Sequence, residues 1–494
     1  MQNLNESLQA KYPHLELAIL PLSQVKKGNE AFRIDSEPFK KLNLSLNSNI
    51  EYIKLSQIVT INPSKTEIQK YDENLEVTFL SMQNLGNGFV NERDKGAIKY
   101  FKGGYTYFAE NDILIAKITP CMEHGKCAIA TNLTNKIGFG STEFNVFRVK
   151  DSRFLQEFIF CYLNRDNIRK IAADNMIGTS GRQRVPTAFY ENLPIPLFPK
   201  PFQLEIEKLV KQSHEALEDS KRLYKEAQEL LYKELELDFK NPLKSLLKSS
   251  LQAKKPSELA NINDISKKYP HLNISVRPLS KSLHKSGRLD SEYYQSKYDL
   301  METKIKSFSH KKLGELVSIQ KSIEPGSEAY QDEGIEFVRV ANLGKFGLSK
   351  SDIYLNEQDF SKELKKLAPK KETILLSKDG SIGISYCLEE DLECITSGAI
   401  LHLKVKDKSE ILPQVLSLIL NSIVAKLQAE RDAGGSIIAH WKISEIEKVL
   451  IPLFDFKLQE QIALKIQKSF TLRAKSKDLL QNAKIKLENA IENG

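Results

Sequence analysis

The chain is written twice, and that duplication constrains its fold more than any other feature. Tyr12-Pro13-His14-Leu15 returns as Tyr269-Pro270-His271-Leu272, and Pro21-Leu22-Ser23 as Pro278-Leu279-Ser280, both 257 residues later. Arg33-Ile34-Asp35-Ser36-Glu37 is answered by Arg288-Leu289-Asp290-Ser291-Glu292 at an offset of 255. The register then holds: Lys54-Leu55 with Lys312-Leu313, Asn84-Leu85 with Asn342-Leu343, and Ile113-Leu114 to Lys117 with Ile374-Leu375 to Lys378, at offsets of 258 to 261. Each copy closes on a proline turn, Leu193-Pro194-Ile195-Pro196-Leu197-Phe198 and Val449-Leu450-Ile451-Pro452-Leu453-Phe454, followed by a long charged segment of helical character. A self-similar chain builds one supersecondary plan at each repeat, so the expected order is unit, helix, unit, helix.

A length of 494 residues exceeds what one core organises, and the composition, 41% hydrophobic and 28% charged, is that of a folded chain. Within the units, Val77 to Met82 and Glu336 to Val340 read as strands, and Leu155 to Asn164 and Leu412 to Glu430 as helices. Beyond the first proline turn, Leu209, Ala216, Leu223, Leu230 and Leu237 recur every seven residues beside a second seam of Val210, Leu217, Tyr224 and Leu231. That is a coiled-coil stripe. Leu458, Ile462, Ile466, Phe470, Leu480, Ala483, Leu487 and Ile491 form its expected partner, interrupted by Arg473, Ser476 and Lys477. The fold class expected is therefore α+β: two pseudo-repeated mixed α/β domains separated by two long helices packed as an antiparallel coiled coil. Leu209, Leu217, Leu223, Leu230, Ile462, Ile466, Leu480 and Leu487 are the expected packing residues. The boundaries read as an N-terminal arm (1–45), a first domain (46–200), a spacer helix (201–240), a linker with the repeated arm (241–305), a second domain (306–455) and a second spacer helix (456–494).

The formal charge of +8 permits a polyanionic partner without demanding one. Cys121, Cys127, Cys161, Cys387 and Cys394 form no C-x-x-C pair, so neither a disulfide framework nor a zinc site is expected, and reduced cytoplasmic thiols are. Met1 to Leu20 lacks the pattern of a secretion signal, and no run of apolar residues reaches membrane-spanning length. The chain has no phosphate-binding G-x-x-x-x-G-K-[ST] loop, no H-E-x-x-H helix, no G-x-S-x-G elbow and no Asn-Pro-Pro-Tyr or Asn-Pro-Pro-Phe tetrapeptide. No catalytic residue and no metal ligand is assigned.

A helix of about 35 residues is roughly 50 Å long, comparable to one to one and a half turns of duplex DNA. Two unequal readers on such spacers suit two unequal half-sites. In the first copy the strongest polar cluster is Gly178-Thr179-Ser180-Gly181-Arg182-Gln183-Arg184-Val185, joined by Asn84, Lys117-Ile118-Thr119-Pro120 and Ser141-Thr142-Glu143-Phe144. Arginine pairs bidentately with guanine, glutamine with adenine, and a carboxylate accepts from cytosine N4, while hydroxyls and glycine-exposed N–H groups suit phosphate. The candidates in the first copy are thus Asn84, Lys117, Thr119, Ser141, Thr142, Glu143, Thr179, Ser180, Arg182, Gln183 and Arg184. In the second they are Asn342, Lys378, Asp379, Ser381, Ser397, Ser436, His440 and Lys442, with Trp441 as a core anchor. A basic solvated loop is the plain alternative for each motif taken singly.

The run Ala116-Lys117-Ile118-Thr119-Pro120-Cys121-Met122-Glu123-His124-Gly125-Lys126, then Gly140-Ser141-Thr142-Glu143-Phe144, then Gly181-Arg182-Gln183-Arg184-Val185 resembles the target recognition domain of type I restriction-modification specificity subunits. The Ile195-Pro196-Leu197 and Ile451-Pro452-Leu453 turns, the second with Gln459-Glu460-Gln461-Ile462 behind it, resemble the entry to that family's helical regions. The second domain follows a looser pattern around Ser377-Lys378-Asp379-Gly380-Ser381-Ile382-Gly383, and the Tyr-Pro-His-Leu arm departs from the family. The resemblance implies a non-catalytic subunit that reads a split, asymmetric target in double-stranded DNA. Its implied partners are two modification (methyltransferase) subunits carrying S-adenosylmethionine and a restriction/translocase subunit using ATP and Mg; this chain binds no cofactor and no membrane. Two other readings stay open: the recognition subunit of a two-gene type II-like (IIB/IIG) system with a fused nuclease-methyltransferase partner, and a coiled-coil scaffold that binds no DNA.

Overall fold

The computed structural model describes residues 46–179, 181–253, 290–433 and 439–493, together with 8, 11, 12, 19, 21–26 and 288. The chain divides into two compact units, one built from Met1–Leu217 with Ala474–Gly494, the other from Glu218–Arg473.

In the first unit, β1 (Tyr52–Lys54) opens the domain. It is followed by β2 (Val59–Ile61), β3 (Glu76–Leu80), β4 (Asp94–Ala97), β5 (Thr106–Ala109), β6 (Ile113–Ala116), β7 (Cys127–Ile129), β8 (Ile137–Gly140), β9 (Phe144–Val149) and β10 (Pro194–Pro196). They form two four-stranded sheets, ordered β2-β9-β6-β7 and β4-β3-β8-β5, and a ribbon of β1 with β10. The second sheet contains a parallel pair, with Leu80 opposite Gly140. All four residues of β6 are buried, as a strand covered on both faces requires. Helices α1 (Gln156–Leu163) and α2 (Asp166–Asp174) pack behind the first sheet, and the proline ribbon leads into α3 (Lys200–Glu234).

The second unit repeats the plan. It contains α4 (Ser296–Lys306), β11 (His310–Lys312), β12 (Val317–Lys321), β13 (Tyr330–Gln331), β14 (Ile335–Val338), the hairpin β15 (Leu343–Gly344) and β16 (Gly347–Leu348), and β17 (Tyr354–Leu355). Then follow α5 (Glu357–Leu367), β18 (Ile374–Ser377), β19 (Ser385–Cys387), β20 (Cys394–Thr396), β21 (Ile400–Val405), α6 (Pro413–Leu420), α7 (Ile423–Asp432), β22 (Leu450–Pro452) and α8 (Phe456–Asn493). The sheets run β12-β21-β18-β19 and β13-β17-β14-β20, with β14 and β20 parallel. One difference matters below: β5 lies outside β8 in the first unit, whereas β20 ends its sheet in the second.

The expected helix from Leu412 to Glu430 is two helices. Asn421 turns its amide onto the backbone of Ser385, accepting from its N–H at 3.1 Å and donating to its carbonyl at 2.6 Å, and the Ser422 hydroxyl caps α7 by accepting from Val424 N–H. Side chains that bond nearby backbone end a helix even inside an apolar run. Of the repeated arm, the Tyr-Pro-His-Leu motifs lie outside the described residues apart from Tyr12. In the second copy Arg288 pairs with Asp290 and reaches the carbonyl of Arg431 at the end of α7.

The heptad seam differs from the leucine stripe that leads in sequence. Leu209, Leu223 and Leu230 are half-buried at the flank, while Gln203, Ile206, Val210, Ser213, Leu217, Ser220, Tyr224, Ala227 and Leu231 are buried. In α8 the buried set is Gln459, Ile462, Ile466, Ser469, Ser476, Leu480, Ala483 and Leu487, each 256 positions after its counterpart, as Ser469 is after Ser213. Two of these positions in each helix are serines, and of the two apolar stripes read in the sequence it is the one through Val210, Leu217, Tyr224 and Leu231 that lies in the seam, with the expected Ile462, Ile466, Leu480 and Leu487 buried in α8. Within the first unit the segments run antiparallel: the Ser213 hydroxyl donates to the Ser476 carbonyl at 2.7 Å, and Glu205 pairs with Lys486. Within the second, the Ser469 hydroxyl donates to the Ser220 carbonyl at 2.7 Å and Lys465 pairs with Glu226 at 2.6 Å. Arg473, which breaks the apolar pattern, lays its guanidinium 4.0 Å from the centre of the Phe346 ring.

Candidate nucleic-acid interface

In the first unit β6 runs past its end as Lys117, Ile118 and Thr119, and this extension gathers two other loops. Lys117 N–H donates to the Glu143 carbonyl at 2.9 Å, Val185 N–H to the Lys117 carbonyl at 2.9 Å, and Thr119 N–H to the Gln183 carbonyl at 3.1 Å. Arg184 bridges to Ile177, closing a hairpin whose turn uses Gly178 and Gly181 at φ of 124° and 75°. Only glycine holds such angles without strain, so these two residues shape the tip carrying Thr179, Arg182 and Gln183.

The knot recurs in the second unit. Lys378 N–H donates to the Ala399 carbonyl at 2.9 Å, and Trp441 N–H to the Lys378 carbonyl at 2.8 Å. Trp441 therefore stands where Val185 stands, and both are buried, at 1% and 2% exposure. The backbone scaffold is shared, but the side chains on it are not.

Arg184 and Glu143, expected as separate contacts, face each other. The guanidinium grips both carboxylate oxygens, Nε to Oε2 at 2.8 Å and Nη2 to Oε1 at 2.7 Å, and Nη1 donates to the Arg182 carbonyl. That bidentate pairing holds the Glu143 carboxyl below its usual range. Arg182 is exposed at the hairpin tip, and among the described residues its guanidinium has no hydrogen-bonding or ionic partner. Ser141 donates its N–H to the Leu80 carbonyl and accepts from Glu143 N–H, while Thr142 is exposed. The Thr119 hydroxyl oxygen is buried and unpartnered among the described residues. Asn84 is half-buried in the loop after β3, its carbonyl accepting from Asn91 N–H. Ser180 and Ser436 lie outside the described residues.

In the second unit the acid comes from a different loop. Asp379 accepts from Lys378 and stands 2.9 Å from His440 Nδ1. Burial works against its charge, but these two partners hold its carboxyl below the ordinary value. Ser381, His440 and Lys442 are exposed nearby. Asn342 and Ser397 instead point inward. Asn342 is 8% exposed, its side chain accepting from Arg339 N–H and donating to the Lys350 carbonyl, because it stabilises the turn after β14. Ser397 is 3% exposed, its N–H bonded to the Val338 carbonyl between the parallel strands.

A glutamine whose role sequence reasoning missed sets each domain on its helix. Gln203 is fully buried; its Oε1 accepts from Leu155 N–H at 2.8 Å and its Nε2 donates to the carbonyls of Arg153 and Phe198 at 2.9 and 2.8 Å. Gln459 does the same for Leu412, Glu410 and Phe454. The signal was available, since both glutamines follow the proline turns at matched positions. No group of three or more potential metal-ligating residues occurs among the described residues, and no described helix is long and apolar enough to cross a membrane.

The family model for the type I restriction modification DNA specificity domain matches residues 47–227 and 305–488. The type I restriction enzyme EcoEI specificity subunit of Escherichia coli is 35% identical over 187 residues, which is 37% of this chain and 30% of that protein. The EcoAI specificity subunit of the same organism is 37% identical over 151 residues, 30% of this chain and 25% of that protein. The matches thus span less than a third of either relative's length. Among solved structures, the HsdS subunit from Thermoanaerobacter tengcongensis aligns over 91% of this chain and 98% of its own, at 15% identity and a TM-score of 0.30. A type I specificity subunit from M. genitalium aligns over 92% and 97%, at 14% identity and a TM-score of 0.37.

Proposed function

Because the chain belongs to the type I restriction modification DNA specificity domain family, we propose that it reads a bipartite, asymmetric DNA target, one half with each unit, for catalytic partners. The observation that carries this reading is the repeated backbone knot bearing unlike side chains. Arg182, Gln183 and the Arg184–Glu143 pair stand on one copy, and Lys378, Asp379, Ser381, His440 and Lys442 on the other. A common scaffold with different donors and acceptors reads different bases. The inward-facing Asn342 and Ser397 drop out of the contact set and act through turn geometry.

Bond-making belongs, in this reading, to two methyltransferase subunits that bring S-adenosylmethionine and flip the target adenine. Cleavage belongs to a motor-nuclease subunit that brings ATP and Mg. Methylome sequencing of cells with and without the gene tests the proposal: one split adenine-methylation motif is expected to vanish with the gene. An unchanged methylome sinks it. Exchange of residues 46–200 for another reader is expected to alter one half of that motif and leave the other intact; a change in both halves contradicts one half per unit.

Arg182→Ala is expected to relax discrimination at one position of the first half-site by about 1–3 kcal/mol, the value of a bidentate base contact. Arg184→Ala instead breaks the Arg184–Glu143 pair, so its effect should be shared by Glu143→Gln. Methylation patterns unchanged by Arg182→Ala and Arg184→Ala together would remove this hairpin from the interface.

A further inference from the structure

The second sheet of the first unit brings additional groups to the edge where Ser141–Glu143 emerges. Leu80 and Gly140 end two parallel strands side by side, and Ser141 N–H bonds back to the Leu80 carbonyl. Because β4 is antiparallel to β3, with Asp94 opposite Phe79, Arg93 enters at this same edge. Because β5 is antiparallel to β8, with Thr106 opposite Gly140, so does the Gly103-Gly104-Tyr105 turn.

Arg93 is partly buried and its Nε is shielded from solvent without a hydrogen-bond partner. Among the described residues it forms no ion pair, unlike Arg148, Arg153, Arg165, Arg169 and Arg184 in the same unit. A guanidinium nitrogen shielded from solvent and left without a partner is costly unless a ligand supplies one. The adjoining turn is equally open: a Cβ at Gly103 or Gly104 would meet no atom within 4 Å, and Tyr105 is 38% exposed with its ring 4.8 Å from Phe79. Exposed glycine backbone permits close approach of N–H groups to an anion. Among the described residues no strand flanks β20 in the place that β5 takes beside β8, so no such turn is described in the second unit.

We propose that Arg93 and the Gly103-Gly104-Tyr105 turn form a second DNA-contacting element, specific to the first unit, that grips the phosphate backbone beside the bases read by the Arg182 hairpin. This rests on the DNA-reading function proposed above. It makes the first half-site the more salt-sensitive of the two, because each neutralised phosphate releases condensed counterions.

The test uses the full-length chain with its modification partner and a duplex carrying the motif found by methylome sequencing. Arg93→Ala is expected to weaken binding about tenfold on matched and mismatched duplexes alike, and to lower the slope of log K against log salt by about one. Arg93→Lys should retain the slope, and Gly104→Asp, which adds a carboxylate where nothing is displaced, should weaken binding as Arg93→Ala does. Unchanged affinity and slope in Arg93→Ala and Gly104→Asp would overturn the proposal while leaving the DNA-reading function standing. A loss confined to one base position would overturn the assignment to phosphate. Failure of the unmodified complex to prefer the motif duplex would overturn both readings.

Discussion

Gln203→Leu is expected to unfasten the first domain from its helix at a cost of about 3–9 kcal/mol. Leucine fills much of the volume, but the Leu155 N–H and the carbonyls of Arg153 and Phe198 lose the side chain that satisfies them. Each buried backbone group left unpaired costs about 1–3 kcal/mol. The loss is local, because the equivalent duty in the second unit falls to Gln459. Hydrogen exchange should therefore show α1 and the start of α3 losing protection while α6 and the start of α8 keep theirs. Gln459→Leu should produce the mirror result. Equal protection of α1 in the variant and the parent would contradict the clamp, and equal loss in both units would contradict its locality.

Gly88→Val is expected to cost about 3–5 kcal/mol and to loosen the same domain from the opposite end. Gly88 holds φ at 95°, and a Cβ there would lie 2.2 Å from Leu480 Cδ2. Its carbonyl also lies 3.0 Å from His214 Nε2 on α3. A β-branched residue meets backbone strain of about 1–3 kcal/mol and an overpacking penalty of similar size. The double variant Gly88→Ala with Leu480→Ala should lose less than the sum of its parts, since removing the leucine methyls relieves the collision and leaves only the strain. Strict additivity in thermal or denaturant unfolding would show that the contact is not the cause. The matched position of the second copy carries Phe346, whose ring meets Tyr224 at 4.8 Å and the Arg473 guanidinium at 4.0 Å. The two readers are thus seated by different chemistry at one point of a shared plan, a close backbone approach in one and an aromatic–cation stack in the other.

That contrast explains how far the sequence could be read. The matched offsets and the proline turns made the order of units and helices legible, and the strands at Val77 and Glu336 followed from their β-branched and apolar content. The seam followed only in part. Ser213, Ser220, Ser469 and Ser476 are polar in composition but buried by position, each hydroxyl answering a neighbour across the seam. Apolar periodicity therefore offered two adjoining stripes, and the face that packs is the one through Val210, Leu217, Tyr224 and Leu231 rather than the one through Leu209 and Leu223. The split between α6 and α7 was equally hidden, because Asn421 ends the helix through a bond to Ser385, which is distant in sequence. At the candidate interface the glycine-framed hairpin and the lysines at Lys117 and Lys378 were visible as motifs. The Arg184–Glu143 pairing, the inward turn of Asn342 and the unpartnered Arg93 were not.

By itself the sequence determined that the chain would form two related units with long helices behind them, because repeat offsets, turn residues and strand-forming runs are local properties of the chain. The tertiary structure alone decided which of the two apolar stripes lies in the seam, which polar residues are spent inside the protein and which guanidinium groups stay available. Several of those outcomes depend on partners far along the chain, Glu143 for Arg184 at 41 positions and Ser476 for Ser213 at 263. A buried polar group is stable only when such a partner arrives, and no local pattern records whether it does.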